Sequence, residues 1–231
     1  MSSGKRRKLN MNVSFPPTTK TTTKKRQYKR NKYNQVESVK DLTEFKCIDE
    51  YGTLADVSST NSDFFLLNGC AQGTSSDGRL GIRTLLKSVR VKYSFYDIAG
   101  TGRANDFCLR FMVFHDSQPH GTDPTFAELL TRTVAPYGST SMPAITGKER
   151  FDIYYDKVHC VCAQEDGGTT PGFGEFYAKL NIPCRFNANT TGDIDDIEEG
   201  ALFFMIMNDT ATGTNGSVNV YWQSRVLFTD L

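Results

Sequence analysis

The sequence predicts an all-β fold, an eight-stranded jelly-roll sandwich with one short helix in a loop, preceded by a disordered basic N-terminal arm. Three observations predict it. Beyond about residue 37, short β-branched and aromatic runs alternate with clusters of Gly, Asp, Asn, Ser and Pro, which is the pattern of strands and turns. The connections between runs are long and uneven, which suits a double-sheet roll better than an up-and-down barrel. The first 34 residues hold eleven Lys and Arg and no Asp or Glu, so they cannot bury enough apolar surface to offset the entropy of ordering. These features divide the chain into an arm, residues 1–36, and a folded domain, residues 37–231.

A chain of 231 residues exceeds the usual domain length, but all-β sandwiches often reach it as one unit. Hydrophobic residues make up 38%, with sixteen Phe and ten Tyr, enough for one large core. No repeat of solenoid or propeller period is present.

Eight strand-like runs follow the arm. The first covers 41–54. The second, 82–97, sets Val89, Val91, Tyr93 and Phe95 against Arg90, Lys92, Ser94 and Tyr96, a period of two that marks a half-exposed strand. The third, 106–115, is apolar on both faces apart from Arg110 and is expected to be central. The fourth and fifth are 150–155 and 157–163. The sixth, 173–186, contains Pro183, which marks a place where ladder bonding is interrupted. The seventh is 201–207, and the eighth, 217–229, aligns Val218, Val220, Trp222, Val226 and Phe228 on one face. Between the third and fourth, residues 124–132 form the one convincing helix, with Asp123 as N-cap and Pro124 at the first helical position.

The net charge of +1 conceals a bipolar molecule. Residues 1–34 carry +11, and the other sixteen basic residues face all 26 acidic ones, leaving the rest at −10. Such asymmetry points to a polyanionic partner. Lys5, Arg6, Arg7, Lys8, Lys20, Lys24, Lys25, Arg26, Lys29, Arg30 and Lys32 can neutralise phosphates, and Tyr28 and Tyr33 can stack on unpaired bases. Neither contact needs a fixed protein shape, so the arm suits sequence-tolerant, salt-sensitive nucleic-acid binding. Extended, it reaches about 110–120 Å; as a coil it spans about 30 Å. Lys5, Arg6, Arg7 and Lys8, together with Lys24, Lys25, Arg26, Lys29 and Arg30, also form clusters of nuclear-localisation type. A tail serving import or solubility alone is the plainer alternative, but eleven unopposed charges exceed what import needs.

Catalytic and metal chemistry find little support. There are three His (His115, His120, His159) and no HxH, HExxH or CxxC spacing. Cys160 and Cys162 share a strand face without a second pair at zinc spacing, so buried structural thiols are expected for the six cysteines. Gly172-Phe173-Gly174 and the Gly78 to Gly81 stretch lack the strand-to-helix setting of a phosphate loop and read as turns. Asp193, Asp195, Asp196, Glu198 and Glu199 could take Ca²⁺ where two subunits meet, although their spacing departs from a calcium loop and a solvated segment is the favoured reading. No catalytic residue, no metal ligand and no cofactor is assigned. With no secretory leader and no apolar run of membrane-span length, synthesis inside a reducing compartment is expected, with the Asn-x-Ser/Thr sites at Asn189 and Asn215 unglycosylated.

The stretch from Leu66 through Asn68, Gly69, Cys70 and Gln72 to Thr74, followed by Arg79-Leu80-Gly81 and the run from Lys87 to Tyr93, resembles coat proteins of circular Rep-encoding single-stranded DNA viruses. The segment from Leu109 to Asp116, then Gly121 to Thr125 leading into the helix, is similar to the coat protein of satellite tobacco necrosis virus. The stretches from Arg150 to Lys157 and from Val226 to Asp230 match as well, so the resemblance spans most of residues 40–231. It implies a jelly-roll shell of sixty identical subunits (T = 1), arms turned inward onto the genome, and no enzyme activity. On that basis the expected partners are further copies of the chain, single-stranded nucleic acid with DNA preferred, and the host nuclear import machinery. The expected locations are the virion and, during assembly, the host nucleus. Segments 61–81, 121–147 and 166–174 are the expected subunit contacts. The main rival is a nucleic-acid-binding β-domain acting as a monomer or small oligomer; a jelly-roll enzyme would need the clustered His that is missing.

Overall fold

The computed structural model describes residues 44–55, 57, 63–97, 107–132, 139–161, 171–208 and 218–231. Nine strands lie among them: β1 (Lys46–Leu54), β2 (Asp63–Leu66), β3 (Arg83–Asp97), β4 (Phe107–Asp116), β5 (Phe151–Val161), β6 (Gly172–Phe186), β7 (Ile197–Glu199), β8 (Ala201–Asn208) and β9 (Val218–Asp230). An α-helical turn, α1 (Phe126–Leu129), and a 3₁₀ turn, Ile145–Gly147, lie between β4 and β5.

The pairing gives the architecture. Apart from the three-residue β7, the first strand pairs with the last, β1 with β9, then β2 with β8, β3 with β6 and β4 with β5, all antiparallel. This is one long hairpin. It rolls on itself through the further pairs β3–β9 and β4–β8, producing the sheets β1-β9-β3-β6-β7 and β2-β8-β4-β5. That is the double-sheet jelly roll, the fold expected from the sequence.

Side-chain alternation fixes which faces meet. Val89, Val91, Tyr93 and Phe95 are buried while Arg90, Lys92 and Ser94 face solvent, and β9 buries Val218, Val220, Trp222, Val226 and Phe228. Across the interior, the Tyr93 and Phe111 rings stack at 4.0 Å between centroids, and Phe204 lies 5.6 Å from Trp222. Gly174 makes room for Tyr93, since a Cβ there would lie 2.2 Å from the ring. All eight residues of β8 are buried, so this sheet is covered on both faces, as expected of central strands.

Several boundaries differ from the sequence reading. The runs 150–155 and 157–163 are a single strand, because Asp156 and Lys157 do not turn: they stay in register opposite Met112 and Phe111. β2 and β7 were not anticipated, being four and three residues long, too short to display a period. The ladder break lies not at Pro183, which pairs with Leu85, but at Lys87, where β3 bulges between Leu86 and Ser88. The helix is shorter than 124–132 and is capped by Thr125, not Asp123. Glu128 completes a capping box there, accepting from the Thr125 backbone N–H at 2.8 Å; Pro124 therefore precedes the cap.

Candidate nucleic-acid interface and shell surfaces

The arm residues with predicted roles, from Lys5 to Tyr33, lie outside the described residues, as does Cys162. The structure does describe the first strand, β1. Lys46 is buried at the head of β1, with its Nζ 3.0 Å from Asp230 Oδ2 and donating to the Gly78 carbonyl at 2.7 Å. Asp230 Oδ1 also accepts from the Leu80 N–H at 3.0 Å. One lysine thus ties the first strand, the last strand and the 67–81 loop together. A lone Lys in a mixed sequence gave no sign of this role.

The loop itself is built on buried polar side chains. Arg79 is wholly buried: Nε donates to the Cys70 carbonyl at 3.1 Å, Nη1 to the Gly81 carbonyl at 2.8 Å and Nη2 to the Asn189 carbonyl, with the guanidinium 4.4 Å from the Phe186 ring centre. Asn68 donates to the Gly200 carbonyl at 3.0 Å and accepts from the Leu202 N–H at 2.8 Å. Cys70 donates to the Asp77 carbonyl, and burial pushes its thiol up to about 11, so it is unreactive. These residues, quoted above for their resemblance, act as buried clamps that shape a loop.

The excursion between β4 and β5 is held by two arginines. Arg150 makes a two-point contact with the fully buried Asp116, at 2.8 and 2.7 Å, and reaches Glu128 at 2.8 Å. Arg110, buried on β4, grips Asp156 at 2.8 and 2.6 Å and donates to the Ser141 carbonyl. Phe126 of α1 packs on Phe64 of β2 at 4.5 Å, and Phe64 meets Phe114 of β4 edge-on at 6.0 Å. The excursion therefore lies over the outer face of the β2-β8-β4-β5 sheet.

Nothing among the described residues covers the outer face of the other sheet. Arg90, Lys92 and Arg225 surround a cleft of about 210 Å³ there, with Gln223 and Ser224 completing its wall.

The acidic cluster does not converge. Among the described residues no group of three His, Cys, Asp or Glu is placed to hold a metal. Asp196 is fully buried, its Oδ2 accepting from Thr191 Oγ1 at 2.7 Å and the Gly192 N–H at 2.6 Å, so it fastens its own loop and is not a solvated surface acid. His159 bonds the Tyr93 hydroxyl at 2.8 Å, and His115 is buried beside Asp152. Of the six cysteines expected to be buried, Cys70 and Cys184 are; Cys47 and Cys108 are half-buried, and Cys160 is exposed on the edge strand β5.

The described residues thus form a double-sheet jelly roll whose loops are clamped from within, an architecture that viral coat domains share with lectins and cupins. The sequence places it further: the chain belongs to the geminivirus coat protein/nuclear export factor BR1 family, whose model matches residues 3–230. It is a protein of the viral coat family. No curated protein matches the sequence. Solved structures similar to it include cocksfoot mottle virus, at 10% identity over 96% of each chain with a TM-score of 0.34. Desmodium yellow mottle tymovirus is similar at 10% identity over 79% of this chain and 87% of that one, with a TM-score of 0.29.

Proposed function

We propose that the chain assembles as sixty copies into a T = 1 icosahedral shell and packages single-stranded nucleic acid, DNA in preference to RNA, through the basic arm. Its relatives would then be the coat proteins of circular Rep-encoding single-stranded DNA viruses, with that of satellite tobacco necrosis virus similar in form. The observation that carries this reading is the charge division: +11 in the first 34 residues against −10 in the remainder. Averaged over its surface an acidic domain repels a polyanion, whereas a cationic arm on a closed wall concentrates charge in an enclosed space. Sixty arms bring about 660 positive charges, which neutralise part of a genome by counterion release.

Subunits would meet through segments 61–81, 121–147 and 166–174, with Ca²⁺ a candidate at acidic contacts between copies. The clusters Lys5 to Lys8 and Lys24 to Arg30 would engage the host import machinery, bringing the protein to the nucleus for assembly.

Deletion of residues 1–34 tests the reading. The truncated chain is expected to fold and form shells with little nucleic acid, read by sedimentation and the ratio of absorbance at 260 and 280 nm. Full particles from that chain would refute it. A second reading takes support from the other half of the family description, nuclear export factor: a nucleic-acid carrier working as a monomer or small oligomer. Size-exclusion chromatography under capsid-preserving conditions separates the two.

A further inference from the structure

We infer that the bare outer face of the β1-β9-β3-β6 sheet is a second contact surface for single-stranded nucleic acid, a stacking and phosphate-binding platform separate from the arm. The inference rests on the packaging role proposed above and adds a site within the folded domain.

The registry of the sheet places the groups. One row across the four strands reads Asp49, Arg225, Arg90, Tyr177. The next reads Tyr51, Gln223, Lys92, Glu175, and the third Thr53, Tyr221, Ser94, Phe173. Each row thus contains at least one ring, and the first two contain cations.

The rings are open to solvent: Phe173 is 84% exposed, Tyr51 83%, Tyr177 51% and Tyr221 40%. Large apolar groups collected on one surface mark a binding site. Here they come with cations in a domain that is acidic as a whole, so the cations are not a sample of its average charge.

Arg90 and Arg225 stand directly opposite each other on β3 and β9. Like charges so placed are unfavourable, and with Lys92 they ring the 210 Å³ cleft. An anion seated there relieves the repulsion. Carboxylates stand only at the flanks, Glu175 reaching Arg90 at 3.3 Å and Lys92 at 4.0 Å, and Asp49 gripping Arg225 at 2.5 Å. These are exposed pairs of the weakly stabilising kind, which a phosphate can displace while the guanidinium groups stay aimed.

Cations between exposed rings match a single strand: phosphates meet the charges and unstacked bases lie on the rings. Duplex DNA, with its bases stacked inside, would leave the rings unused. The arm cannot be the occupant, since it has the same sign of charge as the cleft.

The test uses the full-length chain and oligothymidylate as probe. The triple variant Arg90→Ala, Lys92→Ala, Arg225→Ala is expected to bind about tenfold or more weakly in low salt. Its slope of log affinity against log salt should fall by about two, at roughly 0.7 per lost single-strand phosphate contact. Tyr51→Ala with Tyr177→Ala should weaken binding and leave the slope alone. Photocrosslinking with 5-iododeoxyuridine should label Tyr51, Phe173 or Tyr177. Labelling confined to Tyr28 and Tyr33, with unchanged slope in the triple variant, would overturn the inference while leaving the arm's role intact. Loss of particle assembly by the variants with binding unchanged would overturn it as well, marking the face as a contact between subunits. No binding by the wild-type chain would instead remove the packaging role itself.

Discussion

The two sheets share a core but differ on their outer faces. The β2-β8-β4-β5 sheet is overlaid by the excursion between β4 and β5, held by Arg150, Asp116, Arg110 and Asp156. The β1-β9-β3-β6 sheet presents Arg90, Lys92, Tyr51 and Phe173 to solvent. Charge is used oppositely in the two places. Beneath the excursion, each arginine is matched to a carboxylate with little water to help it, so the pairs hold structure. On the bare face the charges are hydrated, contribute little to stability and remain available for a ligand. Substitutions on one face should therefore register in stability and on the other in binding.

The largest expected effect is at the covered face. Arg150→Ala leaves the fully buried Asp116 without its cation, and unpairing a buried charge costs about 3–5 kcal/mol; urea unfolding midpoints check it. Arg110→Ala should cost about 2–3 kcal/mol, from hydrogen bonds to a charged partner, read the same way. Within the core shared by both sheets, Gly174→Ala forces the Tyr93 ring aside at a cost of about 1–3 kcal/mol, and Tyr93→Phe would not rescue it, because the ring itself is in the way.

A smaller effect follows pH. Burial holds the imidazoles of His115 and His159 below the ordinary value of 6.5, for His115 against the opposing pull of Asp152. The unfolded chain therefore takes up protons first as pH falls below 6.5, and stability declines from there down through the folded values. His115→Gln should flatten part of that decline in a series of thermal melts. The Glu128 carboxyl, held low chiefly by the Thr125 N–H and further by Arg150, acts in a lower window: its contribution is complete above 4.5 and lost as pH falls through its folded value. The smallest stability effect is predicted on the bare face, where Arg90→Ala with Lys92→Ala should leave the melting temperature nearly unchanged while weakening oligonucleotide binding. A large drop in Tm there would erase the contrast between the faces.

Much of this was legible before the structure. The alternation in Val89 to Tyr96 gave β3 its two faces, and the two-sided apolar character of Phe111 to Phe114 marked β4 as central. The division of charge at residue 34 needed no coordinates. What escaped was set by tertiary contact. β2 exists because Asp63–Leu66 finds β8, and four residues display no period. Thr125 outcompeted Asp123 as N-cap because Glu128 lies three residues after it. Asp196 hid in an acidic run that suggested solvent or a cation, yet its carboxylate ties a loop from within. The bare face was half visible: Arg90 and Lys92 were already expected on the solvent side of β3, but their meeting with Arg225, Tyr51 and Phe173 depends on strand order, which no local pattern encodes.

In the function proposed above, the folded domain closes into a wall around the nucleic acid that the arm collects. Negative-stain electron microscopy of the purified full-length chain, before and after nuclease treatment of disrupted material, examines that most directly. Uniform closed particles that release nuclease-sensitive, single-stranded polynucleotide are predicted. Isolated subunits that neither assemble nor respond to added oligonucleotide or ionic strength would contradict it.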